Sequence, residues 1–428
     1  MNLLYVDFIN ILNMRKILFA LIIISALFSC KKVVSRTMDV PPDDSSSEYY
    51  ANDITAIPIY SKCTNYNNNL SEIASDVTFI LLEANPPINE FHICNIEFTD
   101  EFLFLSEMNR IMQFDKNGKY IKNIGRVGMG PEEFINIIAP LQIDRINNLI
   151  YVNDINRQRM MAYHFDGKLK KTFSFKGVAY KLLNPSKIAA FQSTFDREMA
   201  DCPLISFLDS DGEVRKTYLS HNYPIAKEKK EHFGIEINPL WNNRKDFYYL
   251  EFGADTIFRI SGDSLIPARV LTGDLKMGIE EHYRINTGSK LSVSAYIQRP
   301  NSGIFESDRY LIFRLSNDYE RFFMIYDKNN KQLYRTFYKN AKEVGRGKEK
   351  AMTYFTDDIV SGLSFDPQYQ SEGKAVAIIP AWEICEKKQE ILDFINKNPN
   401  HNQSKHLKSV VQKMTDDDNP LLMIVSLK

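Results

Sequence analysis

Paired cysteines, clustered histidines, net charge and long apolar runs are all missing from this chain, and each absence removes a class of function. Five cysteines are scattered over 428 residues. Those after Cys30 are Cys63, Cys94, Cys202 and Cys385, with no C-x-x-C and no zinc-ligand spacing. Isolated thiols or one or two disulfides both remain open, because four cysteines permit three pairings. Of the seven histidines, His401 and His406 stand closest. On a helix, a separation of five points their side chains roughly 140° apart. No Glu follows His401 as it would in H-E-x-x-H. No G-x-S-x-G elbow occurs and no Ser/His/Asp set suggests itself. The reading is therefore that no metal and no cofactor is bound, and no catalytic set is assigned. With 53 basic and 54 acidic side chains the formal charge is -1. That leaves no field to draw in a polyanion, so nucleic acid is excluded as an expected partner.

One apolar run does stand out, and it is too short to remain in a membrane. Residues 14 to 30 read MRKILFALIIISALFSC. Arg15 and Lys16 form a basic start, and Ile17 to Phe28 an apolar stretch below the ~20 residues a spanning helix needs. The layout is that of a secretory signal opening at Met14. It ends Leu27-Phe28-Ser29-Cys30, which resembles a bacterial lipobox, with Phe28 bulkier than usual. Cys30 is thus the expected site of lipidation, and an acyl chain anchors without spanning. Residues 31 to 53, with Pro41, Pro42, Asp43, Asp44 and Ser45 to Ser47, are too polar to pack a core and read as a flexible tether. The expected location is the cell envelope, on the outer membrane, facing the periplasm or the surface.

From residue 54 onward a single pattern recurs: an apolar strand, a tight turn, a second strand. It appears at 110–124 (RIMQFDKNGKYIKNI), 159–175, 204–219, 256–271 and 321–338. Asn117-Gly118, Asp166-Gly167, Asp211-Gly212 and Asn329-Asn330 offer residues that tolerate the positive φ of hairpin turns. Successive turns lie 49, 45, 51 and 67 residues apart. Propeller blades recur at roughly 40–50 residues, with longer intervals where loops are inserted. Further strand candidates, Phe102 to Leu105, Leu149 to Val152, Lys187 to Phe191, Phe247 to Phe252 and Tyr310 to Leu315, precede each hairpin as an inner strand would. Five such units and a closing one predict an all-β, six-bladed β-propeller over 54–428. Two regions break the rhythm. Residues 221 to 245, with Lys227 to Lys230, form a charged insertion. Residues 383 to 415 carry apolar residues at helical spacing, interrupted at Asn398-Pro399, which predicts a short helical insertion before the last strand.

Asn109-Arg110-Ile111, Gln113-Phe114-Asp115, Gly118-Lys119-Tyr120 and Ile124-Gly125 resemble an NHL-type propeller repeat. The following Gly128-Met129-Gly130-Pro131-Glu132-Glu133-Phe134 is similar to a segment of the Bacteroidetes six-bladed β-propeller lipoproteins of unknown function, with Glu132 where Gly is usual. Leu82-Glu83 after VTFIL, and Asp418 to Val425, match that family's first and last strands. The resemblance implies that the two terminal strands close the ring in one shared blade.

The glycines from Gly125 to Gly130 lack the helix and lysine of a phosphate loop, so they read as an inter-blade turn. Asp416 to Asp418 sits between helix and strand, where turn chemistry is the default. Asp357 and Asp358 lie in a loop of the sixth unit that could reach the central channel. With Arg126 and Glu132 in the glycine-rich turn and Asp154 and Arg157 in the next unit, they are the candidate ligand-binding residues. The expected function is a membrane-anchored binding module for a glycan, a peptide or an envelope protein. The alternatives are a metal-dependent lyase or hydrolase at the channel, and a structural scaffold in an envelope assembly.

Overall fold

The computed structural model describes residues 54–428 except 61–62, 138–139, 178, 192–202, 220–239, 252–253, 274–295, 298–302, 317–319, 338–350 and 372. The signal, the tether, Cys30, Lys227 to Lys230, Cys202, His221, His232 and His282 lie outside the described residues. The rest is a six-bladed propeller. All five repeated hairpins form, each as the third and fourth strands of a blade. They are Arg110–Asp115 with Tyr120–Asn123, Arg159–His164 with Leu169–Ser174, and Pro203–Asp209 with Val214–Leu219. Thr256–Ser261 with Ser264–Thr272, and Glu320–Asp327 with Gln332–Arg335, complete the set. Gly118, Gly167 and Gly212 take positive φ at their turns, as the hairpin reading requires. In the fifth turn, Lys331 takes it at φ 58°, not Asn329 or Asn330.

The strand candidates ahead of each hairpin do lie inside it in the same blade, as second strands, and a further strand not expected from the sequence lies inside each of them. The innermost strands are Ile93–Phe98, Gln142–Asp144, Ala179–Asn184, Leu240–Asn243, Ile304–Glu306 and Tyr369–Ser371. Several are only three or four residues long and mix polar with apolar types, so they show no clean period of two.

Closure is made in blade 6. Its order from the axis outward is Tyr369–Ser371, Lys374–Ile379, Leu421–Leu427 and Ala74–Leu81. The last strand thus lies between its sequence neighbour and the strand that begins the ring, with Val425 opposite Val77 and Leu422 opposite Ile80. Six buried apolar clusters occupy the six junctions between blades. Each blade is therefore apolar on both faces, which is why the aromatics are mostly core: Tyr151, Phe104, Phe207, Tyr249 and Phe313 are all buried.

Three helices, α2 (Ala381–Glu386), α3 (Lys388–Lys397) and α4 (Ser404–Lys413), replace the expected two. They interrupt blade 6 before its third strand, and Ile384, Ile391, Ile395, Leu407 and Val411 join the core between blades 5 and 6. A one-turn helix, α1 (Leu70–Ile73), opens blade 6's outer strand. An element not expected from the sequence runs along the rim. Thr55–Pro58 adds a fifth strand to blade 4, and Thr64–Asn65 adds one to blade 5, both parallel to the outer strand they join.

Candidate functional site

The inner strands are edge strands, so their outward backbone groups need partners. The structure supplies them from polar side chains of neighbouring blades. The Asn95 side chain of blade 1 donates to Leu141 O of blade 2 at 3.1 Å. Gln142 of blade 2 accepts from the Leu182 N–H of blade 3 at 3.4 Å. Gln370 of blade 6 donates to Glu306 O of blade 5 at 2.8 Å and accepts from the Glu306 N–H at 3.3 Å. Its amide also approaches Asn242 O of blade 4 at 3.5 Å. Side-chain amides thus belt the axis from blade to blade.

Glu97 of blade 1 stands within this belt and is only 8% exposed. Its carboxylate accepts the Ser371 hydroxyl of blade 6 at 2.7 Å and a longer bond from Asn95 at 3.4 Å. Burial raises its pKa, while Lys181 of blade 3 and then the Ser371 bond and Arg145 of blade 2 pull it down. Blade 3 does not adjoin blade 1, yet the Lys181 charge acts on this carboxylate across the inner strands. Groups from blades 1, 2, 3 and 6 therefore converge near one buried carboxylate.

A second buried acid, Glu306, lies on the inner strand of blade 5. Arg269 grips it in fork geometry at 2.6 and 3.1 Å, Lys328 at 2.7 Å, and the Trp241 indole N–H donates at 2.8 Å. Burial would raise this carboxyl, but the two cations outweigh it and hold it below the usual range. Its acceptor capacity is filled by partners from blades 4 and 5, as expected of a structural ion cluster.

The candidate residues offered by the sequence form two groups. Arg126, Glu132, Asp154 and Arg157 do come together, at the connection from blade 1 to blade 2. Arg157 donates to Gly130 O at 2.9 Å and to Glu133 O at 3.3 Å. Asp154 is fully buried and pairs with Arg159 at 3.0 Å, and the Tyr163 hydroxyl donates to Glu132 O at 2.9 Å. Arg126 is exposed and pairs with Glu133 at 2.6 Å, while the Glu133 carboxylate also accepts the Gly130 N–H at 2.7 Å. These bonds hold the glycine-rich connection shut on blade 2. In the second group, Asp357 accepts the Ile359, Val360 and Ser361 N–H groups at 3.0, 3.1 and 2.8 Å and so shapes its own turn. Asp358 accepts the N–H and hydroxyl of Ser71 at 2.8 and 2.5 Å, tying α1 to the loop before blade 6.

Glu97, Lys181 and the amide belt were not singled out from sequence. A usable signal was there: an apolar or aromatic residue followed by a polar one opens successive units, as Leu141-Gln142, Tyr180-Lys181, Trp241-Asn242, Phe305-Glu306 and Tyr369-Gln370. His401 accepts the Gln403 N–H at 3.2 Å, and its other nitrogen lies 3.7 Å from Asp76. Cys94 and Cys385 are free thiols. Burial, followed by the nearby Glu107, pushes the Cys94 thiol up to about 12, so it is unreactive at neutral pH. Among the described residues no group of three His, Cys, Asp or Glu side chains could hold a metal ion. No described helix is long and apolar enough to cross a membrane.

These features define a six-bladed β-propeller closed by its terminal strands, with a polar belt around its axis. Residues 54–426 match the model of a domain of unknown function, DUF4934, and the chain belongs to that family. No curated protein matches it. Among solved structures it is similar to a Bacteroides fragilis NCTC 9343 protein inferred to be exported, at 14% identity and TM-score 0.64, covering 88% of this chain and 99% of that one. It is also similar to a member of the DUF4221 family from Bacteroides vulgatus ATCC 8482, at 13% identity and TM-score 0.42, over 83% and 97% of the two chains. A virginiamycin B lyase from Staphylococcus aureus matches at 9% identity and TM-score 0.34, over 62% and 89%. These likenesses concern the fold, and the last two are too loose to argue from.

Proposed function

We propose that this chain is an exported propeller, lipid-anchored through Cys30 on the outer membrane, that binds a polar ligand at its axis. The carrying observation is Glu97: a buried carboxylate with groups from blades 1, 2, 3 and 6 around it, set in a belt of side-chain amides. A carboxylate whose charged form is disfavoured by burial is poorly explained by stability alone, whereas a ligand's donors would complete its hydration shell. Amide donors and acceptors beside it suit hydroxyl-rich or peptide-like ligands, so glycans, peptides and segments of envelope proteins are the candidate partners. The signal and lipobox-like residues at 14–30 support the anchor.

The test is a thermal-shift screen of the mature protein against glycans and envelope peptides. A hit whose shift is lost in Lys181→Ala but kept in Arg126→Ala supports axial binding. A panel without any hit, or hits indifferent to Lys181, would sink the proposal.

A further inference from the structure

Before entering blade 6, the chain runs along the outside of blades 4 and 5. Thr55 pairs with Arg269 and Pro58 with Thr272, and the Ile59 N–H extends the ladder to Thr272 O at 2.6 Å. Thr64 and Asn65 pair with Tyr334 and Arg335, and the Tyr66 N–H reaches Arg335 O at 2.7 Å. Ile57 and Ile59 are buried in the core between blades 4 and 5, while Thr55 and Tyr60 are exposed. Tyr66 enters the core between blades 5 and 6. The rim is shaped to receive this segment. Gly273, at φ +110°, follows the outer strand of blade 4, and a Cβ there would stand 2.4 Å from the Ile59 carbonyl oxygen.

The six outer edges differ in a way that follows their cover. Those of blades 1, 2 and 3 carry Lys122, Lys170 with Lys171, and Arg215 with Lys216, the charges that keep an open edge from pairing with another chain. Ser264–Thr272 of blade 4 has only Arg269, whose guanidinium turns inward to Glu306. In Gln332–Arg335 of blade 5, Arg335 lies over the Phe322 ring at 4.1 Å. Blade 6's outer strand has no lysine either, and there the Gln403 side chain accepts the Phe79 N–H at 3.4 Å. Lysine is thus present on the outer strands of blades 1 to 3 and absent from those of blades 4 to 6, where the strap or the Gln403 side chain lies along the edge.

We infer that residues 54–60 and 63–66 belong to a separable strap, seated in a strand-acceptor edge shared by blades 4 and 5. Its pairing is parallel and spans more than two hundred residues of sequence (Thr55 to Arg269), whereas the four strands of each of blades 1 to 4 join by antiparallel connections. The strap adds to a ring already formed, and the vacated edge accepts an extended strand of the same alternation.

Hydrogen exchange read by mass spectrometry on the full chain tests this. In Ile57→Asp, residues 264–272 should exchange about tenfold or more faster, with blades 1 to 3 unchanged. A synthetic peptide of residues 54–66 should restore that protection, and a scrambled one should not. Gly273→Ala damages the acceptor instead, so it should release the strap without rescue by the peptide. It also stands in if Ile57→Asp yields no soluble protein. Equal loosening of blades 1 to 3, unchanged exchange at 264–272, or no rescue of Ile57→Asp by the native peptide would each overturn the inference.

Discussion

Glu97 sits where a carboxylate is unfavourable, and that has a measurable sign. Burial raises its folded pKa above the unfolded value of ~4.3. An acid of this kind contributes its stability below the unfolded pKa and loses it as pH rises through the folded pKa. Glu97→Gln should therefore gain stability relative to the parent as pH climbs from about 4 toward neutrality. Melting temperatures of both proteins across that range check it, and a difference that stays flat with pH would contradict the assignment. A stabilised variant that also loses ligand binding would show stability yielding to function at this residue. Asp358 makes the opposite case. Its two bonds to Ser71 are structural, so Asp358→Ala should cost about 1–3 kcal/mol in denaturant unfolding. Ligand-induced shifts should survive in that variant.

At the scale of elements, α3 and α4 act as core, not decoration. Leu407 is fully buried against the blade 5–6 cluster, so Leu407→Ala should destabilise by about 2–5 kcal/mol, read by chemical denaturation. The helical segment was legible because Ile391, Ile395, Leu407 and Val411 keep a helical period through exposed, charged neighbours. The hairpins were legible for the same kind of reason: their turns need Gly118, Gly167 and Gly212, and their strands alternate. Inner strands and strap were not. Gln142–Asp144 is too short to show a period, and Thr55–Pro58 contains a proline that demotes a strand reading. That proline is tolerated because the strap is itself an edge.

For the propeller as a whole, stability depends on closure. Leu421–Leu427 is bonded on both sides, by Lys374–Ile379 and by Ala74–Leu81. A proline at Ile424 removes a donor from a central strand, so Ile424→Pro should abolish the cooperative transition. In the parent, fluorescence weighted toward the buried Trp241 of blade 4 and far-ultraviolet dichroism should report one coincident unfolding curve. Two separated curves would show that the blades unfold independently. The axis belongs to this scale too, since Asn95, Gln142 and Gln370 each bridge to another blade, and those bridges exist only once the ring is closed.

By itself the sequence determined the class of fold, the blade count and the turns, because each is written in local periodicity and positive-φ residues, while the shared closing blade followed from the family resemblance of the terminal strands. It offered Arg126, Glu132, Asp154, Arg157, Asp357 and Asp358 as candidate ligand-binding residues, and the first four lie at the connection from blade 1 to blade 2. Tertiary structure alone decided which polar residues face the axis and which edges are covered. Those properties depend on blades up to a full ring apart in sequence, and no local pattern records a partner that distant. Glu97 and Asp358 are both acidic residues in strand-and-turn surroundings. Only the folded ring buries one against Ser371 of blade 6 and bonds the other to Ser71 of α1.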